Sequence, residues 1–206
     1  MIAVVDYGVG NLFSLCASLR MIGAEAEVTS DPHRILSADK ILLPGVGAFG
    51  DAMECLRRLG LDQILRQAAD RGTPLMGICL GMQLLFERSY EFGTHEGLGL
   101  LPGSITPMQG RVPAELKIPQ IGWNSLHKTK ESRLLSRIGE GDFVYFVHSY
   151  SAVDCDTSVA AVTDYGAPIT AAVEMGNVCG CQFHPEKSGK VGLEILRAFC
   201  FGGEEK

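Results

Sequence analysis

The sequence predicts an α/β fold: one domain over residues 1–206, with helices flanking an open, twisted, mixed sheet to make three layers. Three observations carry this. Short apolar runs alternate with helical patterns through the first half of the chain, which implies parallel strands covered by helices on both faces. In the second half, short strand-like segments are separated by Gly, Pro, Asp and Asn, which implies antiparallel strands extending the same sheet. The length, 206 residues, suits one generous domain and would leave two cramped.

Taken in order, Ile2–Val5 is a buried strand closed by Asp6. Leu12, Leu15, Leu19 and Ile22 recur at helical spacing and mark one apolar face. Residues 26–28 make a second strand, and Asp31 caps a short helical turn with Pro32 at its first position. Residues 40–43 form a third strand, stopped by Pro44-Gly45. Met53, Leu56 and Leu59, then Ile64, Leu65 and Ala68, are the inward faces of helical patterns. A fourth strand, 74–78, runs through Cys79 into a helix with Met82, Leu85 and Phe86 inward. Strands follow around 104–108, 142–147, 158–163, 169–173 and 177–183, and a helix over 191–200 closes the chain.

Composition excludes several classes. There are 18 basic and 24 acidic residues, a formal charge of −6, which argues against a nucleic-acid binder. Hydrophobic residues at 46% and charged residues at 20% describe a globular chain, not a disordered one. No apolar run approaches the roughly 20 residues that span a bilayer. The N-terminus lacks the basic region of a signal peptide. Seven cysteines, an odd number mostly inside apolar runs, argue against a disulfide framework and for a cytoplasmic location.

The strongest chemical signal is Gly77-Ile78-Cys79-Leu80-Gly81, after an apolar strand and before a helix. That is the context of a nucleophile elbow, with Cys79 as nucleophile. A sharp strand-to-helix turn forces the nucleophile into a strained backbone, and side chains two residues either way would collide. The helix N-terminus favours thiolate, and the Leu80 N–H is one oxyanion donor. A base is needed, and the base needs an orienting group. His184 ends a strand, Pro185 keeps it extended, and Glu186 can hold the imidazole from behind. His33, His95 and His127 fall in polar, loop-like stretches and are expected to be solvated. Pro44-Gly45-Val46-Gly47 reads either as a plain turn or as the second oxyanion contributor. Gly8-Val9-Gly10 imitates a dinucleotide loop, but Phe13 occupies the third glycine position. Cys179 and Cys181 with His184 have the look of metal ligands, yet both cysteines fall on one strand face, where they pack as small apolar groups. No metal or cofactor is expected.

With Gly-Ile-Cys-Leu-Gly-Met-Gln at 77–83, His-Pro-Glu at 184–186 and Pro-Gly-Val-Gly at 44–47, the chain resembles the class I, triad-type glutamine amidotransferases. Further stretches at 6–11, 119–124, 145–150 and 183–188 are similar to the glutaminase subunits of imidazole glycerol phosphate synthase. The resemblance implies Cys79, His184 and Glu186 as catalytic triad and the backbone of Val46, Gly47 and Leu80 as oxyanion hole. It implies Gln83, Glu91, His148, Ser149 and Tyr150 around L-glutamine. It also implies a heterodimer with a cyclase, a (β/α)8 barrel that receives ammonia, with Asn11 and Trp123 at the interface. Two alternatives stay open: the glutaminase of another amidotransferase, such as pyridoxal phosphate synthase, and a catalytically silent interaction module.

Overall fold

The computed structural model describes residues 1–202. β1 (Ile2–Val5), α1 (Leu12–Met21), β2 (Ala26–Thr29), α2 (Pro32–Leu36), β3 (Lys40–Gly45), α3 (Phe49–Arg58), α4 (Leu61–Asp70) and β4 (Leu75–Cys79) alternate as the pattern predicts. A short α5 (Leu80–Leu84) leads into β5 (Phe86–Ser89), β6 (His95–Glu96) and β7 (Leu101–Pro107). Next come β8 (Gln120–Ser125), β9 (His127–Lys128), β10 (Phe143–His148) and β11 (Tyr150–Val153). The chain continues through β12 (Val159–Asp164), β13 (Pro168–Met175), β14 (Val178–Cys181), a 3-10 turn at Pro185–Lys187 and α6 (Gly189–Phe201).

The main sheet has eight strands in the order β2-β1-β3-β4-β14-β13-β12-β9. Its first five are mutually parallel and the last three antiparallel, so it is mixed as expected. Alternate residues of one strand serve different cores. Ala3, Val5, Ile41 and Leu43 face one apolar cluster with α3 and α4, while Ile2, Val4, Leu42, Met76 and Ile78 face another with α1 and α6. Strands dry on both sides must be apolar at every position, which is why they read as continuous runs. Truncating a fully buried side chain such as Leu43 would cost about 2–5 kcal/mol. No helix among the described residues is long and apolar enough to cross a membrane.

Several expectations need correction. The second-half strands do not all extend one sheet. The 104–108 strand, β7, lies in a separate four-stranded sheet ordered β11-β7-β5-β6, and β10 pairs only with β8 in a two-stranded ribbon. β10 alternates buried Val144 and Phe146 with exposed Phe143, so it has one dry face. Such alternation reports a face and not a partner strand. The helix after Cys79 is five residues long, because Phe86 already pairs with Leu101 as the start of β5. β3 does not stop at Leu43. Pro44 and Gly45 stay in register with Ile78 and Cys79, and the Pro44 carbonyl accepts a hydrogen bond from the Tyr7 hydroxyl at 2.9 Å. His33, His95 and His127 lie in α2, β6 and β9 rather than in loops. His95 is only half-buried, its ring packed on Gly50, where a Cβ would meet it at 2.8 Å.

Candidate active site

Three neighbouring strand ends build the site. β4 delivers Cys79 from the middle of the sheet, with Gly45 of β3 opposite it on one side. On the other side, β14 pairs Cys181 with Ile78, and the chain then runs on to His184. These are the carboxyl ends of parallel strands, where open α/β sheets place their ligands.

Cys79 has φ +54° and ψ −112°, a left-handed conformation that a non-glycine residue adopts at a cost of order 1–3 kcal/mol. Its neighbours explain why the turn can exist. A Cβ on Gly81 would sit 1.8 Å from the Leu43 carbonyl oxygen, and one on Gly77 would sit 2.5 Å from the Gly81 oxygen. Only glycine fits either position, so the packing has the tightness the sequence predicts for an elbow.

His184 is held by its backbone. Its N–H donates to the Tyr145 carbonyl at 3.0 Å, and its own carbonyl accepts from the Ser188 hydroxyl at 2.6 Å. That hydroxyl in turn accepts from the Tyr145 N–H at 3.0 Å. The ring Nδ1 lies 2.8 Å from Glu186 Oε1, with both side chains under 5% exposed. Nδ1–H therefore points at the carboxylate, and Nε2 is the nitrogen left for Cys79. Burial works against a charged imidazole, but the hydrogen bonds to Cys79 and Glu186, and then the charges of both, outweigh it and push His184 up to about 9. The second oxygen of Glu186 is buried without a hydrogen-bond partner among the described residues.

Cys79 and His184 open into a cleft of about 500 Å³. Val46, Gly47 and Leu80 line it, as do Gln83, Glu91, His148, Ser149 and Tyr150. Glu91 is anchored by the Phe49 N–H, which donates to its Oε2 at 2.6 Å at the start of α3. His148 lines the cleft, but its ring is committed elsewhere: Nδ1–H donates to the Tyr150 carbonyl at 2.8 Å, and Nε2, the acceptor of a neutral ring, lies 3.1 Å from the Gln120 side-chain amide, which must turn its NH2 towards it. Burial pushes His148 down to about 4, the Tyr150 carbonyl opposing this and the charge of His184 adding to it. It is a neutral buttress for the 148–150 segment. A larger groove of about 890 Å³ along α3 shares Glu91 and Phe92 with the cleft but holds neither Cys79 nor His184.

Trp123 is half exposed on the β8–β10 ribbon, edge-on to Tyr145 at 6.0 Å, with Ile121 on its own strand and Phe143 on the paired strand also exposed. Asn11 opens α1 and shares a small cavity with Gly45, Val46, His184 and Glu186, close to the triad. Phe92 also lines the cleft, as do Pro119, Val147 and Lys187, which fall within the family-like stretches 119–124, 145–150 and 183–188. Gln182 was missed. Its signal was a polar residue continuing the apolar run of β14, and it is fully buried. Cys179 and Cys181 both pack into the α1–α6 core, where burial pushes their thiols up.

A thiol on a strained elbow, beside a buried imidazole held by a carboxylate, is an arrangement for acyl transfer through a covalent intermediate. Residues 3–202 match the model of the class-I glutamine amidotransferase family. The chain belongs to that family. Among named amidotransferase relatives, imidazole glycerol phosphate synthase subunit HisH of Wolinella succinogenes is 50% identical over 202 residues, 97% of this chain and 98% of its own. The protein of the same name from Bacillus cereus is 52% identical over 200 residues, 97% and 93% of the two chains. That from Aquifex aeolicus is 50% identical over 198 residues, 95% and 94%. The same fold is also seen in solved structures. A glutamine amidotransferase crystal structure superposes with TM-score 0.75 at 18% identity, covering 97% of each chain. A PurLQS structure from Thermotoga maritima superposes with TM-score 0.74 at 23% identity, covering 96% of each.

Proposed function

We propose that this chain is the glutaminase subunit of an imidazole glycerol phosphate synthase, hydrolysing L-glutamine and passing the ammonia to a cyclase partner. The observation that carries the chemistry is Cys79 on its strained turn, between the Gly45–Gly47 loop and a buried His184–Glu186 pair. The kinship with the named relatives, about half of all positions over nearly the whole chain, carries the choice of synthase. It favours this reading over the glutaminase of a different amidotransferase.

In the proposed mechanism the Cys79 thiolate attacks the side-chain amide carbon of glutamine. The oxyanion is met by the N–H of Leu80 and by N–H groups of the Val46–Gly47 backbone, fixed dipoles whose individual removal costs on the order of 10²–10³ in rate. His184, charged at neutral pH, gives its proton to the amide nitrogen as the C–N bond breaks, and ammonia leaves. The neutral imidazole then takes a proton from water as the water oxygen attacks the thioester. The C–S bond breaks, glutamate departs, and thiolate and imidazolium are restored. Gln83, Glu91, Ser149 and Tyr150 hold the substrate. The proposed partner is a (β/α)8 barrel docked over Trp123 and the ribbon, in the cytoplasm.

The test pairs the cyclase with Cys79→Ala. Product formation from glutamine should vanish, while formation from ammonium salt at alkaline pH should match wild type. Loss of both with the complex intact would mean that Cys79 does more than supply ammonia. Retention of both would mean that glutamine is not processed here.

A further inference from the structure

Gln182 is fully buried, follows β14 directly and precedes His184 by two residues. Its amide nitrogen lies 3.8 Å from Cys79 Sγ, within range of a sulfur acceptor. Its amide oxygen accepts from Gln83 Nε2 at 2.9 Å, and the same Gln83 nitrogen donates to the Tyr150 carbonyl at 3.2 Å. This chain decides which way both amides point. A backbone carbonyl can only accept, so Gln83 must turn its NH2 towards Tyr150. That NH2 also faces Gln182, which must answer with its oxygen. The nitrogen of Gln182 is left facing the sulfur.

We propose that Gln182 is a further catalytic residue of the glutaminase reaction, its side-chain N–H donating to the Cys79 sulfur and holding it in line for attack. Gln83 then also acts as a positioning residue, transmitting the orientation set by Tyr150. A thiolate beside a long helix draws on the dipole of that helix, but α5 is only five residues long and its contribution is small. An N–H aimed at an anion in a dry site is a charge-assisted bond, about twice as strong as a neutral one. When the thioester forms the sulfur loses its charge and the bond weakens, so the donor acts on the thiolate and not on the acyl-enzyme.

This inference rests on Cys79 being the nucleophile, so the experiment separates the two. Cys79 is alkylated with iodoacetamide at pH 8 without glutamine, the modified peptide is followed by mass spectrometry, and kcat and KM are measured in the complex with the cyclase. Gln182→Met removes donor and acceptor. Gln182→Glu keeps an acceptor for Gln83 and puts a carboxylate oxygen where the nitrogen was. Both should slow alkylation and lower kcat roughly tenfold. KM should stay within about twofold, since Gln182 lies behind the sulfur and does not line the cleft. If Gln182→Glu alkylates as fast as wild type while Gln182→Met is slow, Gln182 is only packing and the proposal falls. If both variants match wild type, it falls equally. A wild-type Cys79 that reacts no faster than buried Cys155 would overturn the nucleophile reading itself.

Discussion

Gly45 and Cys79 stand opposite each other in the register of β3 and β4. The proposed oxyanion loop therefore begins level with Cys79, and its Val46 and Gly47 line the same cleft. The two strand ends are also locked together by contact, since Gly81 packs directly onto the Leu43 carbonyl.

Two alanine substitutions should separate contact from conformation. Gly81→Ala meets a backbone oxygen at 1.8 Å and must push β3 from α5, costing about 2–3 kcal/mol and most of the activity. Gly47→Ala meets nothing within 4 Å but inherits φ +95°, a strain of roughly 1–2 kcal/mol that the loop can relieve by shifting. It should unfold within a few degrees of wild type yet lose glutaminase turnover by 10-fold or more. Thermal melts and turnover in the cyclase complex check both. Unchanged turnover in Gly47→Ala would remove this loop from the chemistry.

The triad should fail unequally. Cys79→Ala and His184→Ala are expected to reduce glutaminase activity to background, because nucleophile and base act as a unit. Glu186→Ala, which only orients and stabilises the ring, should keep roughly 10–100-fold more rate than either. Steady-state glutamate release by the three variants decides it, and full activity in Cys79→Ala would end the elbow reading.

Imidazole titration by NMR gives an independent check on the pair. His184 should titrate near 9 in the wild type. In Cys79→Ala it should titrate clearly lower, since burial still opposes the charge and only Glu186 is left to favour it. A folded value above the ordinary 6.5 of histidine means that His184 adds stability fully present below pH 6.5 and lost as pH rises towards 9. Stability between pH 7 and 9 should therefore fall less steeply in the variant.

His148 carries the opposite sign. Its folded value, about 4, lies below the ordinary 6.5, so the unfolded chain takes up a proton that the native ring refuses. Stability should drop as pH falls from 6.5 towards 4, by about 2 kcal/mol between pH 7 and 5 from this residue. His148→Asn keeps a donor for the Tyr150 carbonyl and removes the titration. Urea unfolding at both pH values should show a smaller acid loss for the variant than for wild type.

The parallel half of the fold was legible because strands such as β3 and β4 are dry on both faces and leave unbroken apolar runs. The triad candidates were legible because their information is local: glycines at fixed offsets around Cys79, and one proline between His184 and Glu186. What sequence left hidden is non-local. Nothing in residues 143–148 says that they pair with β8 and not with the main sheet. Nothing near Asn11 says that α1 begins beside His184, since the two meet only through the sheet. Gln182 looked like one polar residue in an apolar run, and its meaning appears only with Gln83 and Cys79 on either side of it.

The ribbon that bears Trp123 is not part of the main sheet, yet Tyr145 within it is bound through both its N–H and its carbonyl to the turn that carries His184. Cys79, by contrast, is set in the centre of eight strands. A partner pressing on the ribbon would thus reach the base through the two Tyr145 bonds, and the sulfur through His148, Tyr150, Gln83 and Gln182. Both reacting groups of the proposed site are thus tied by hydrogen bonds to a ribbon that stands outside the main sheet.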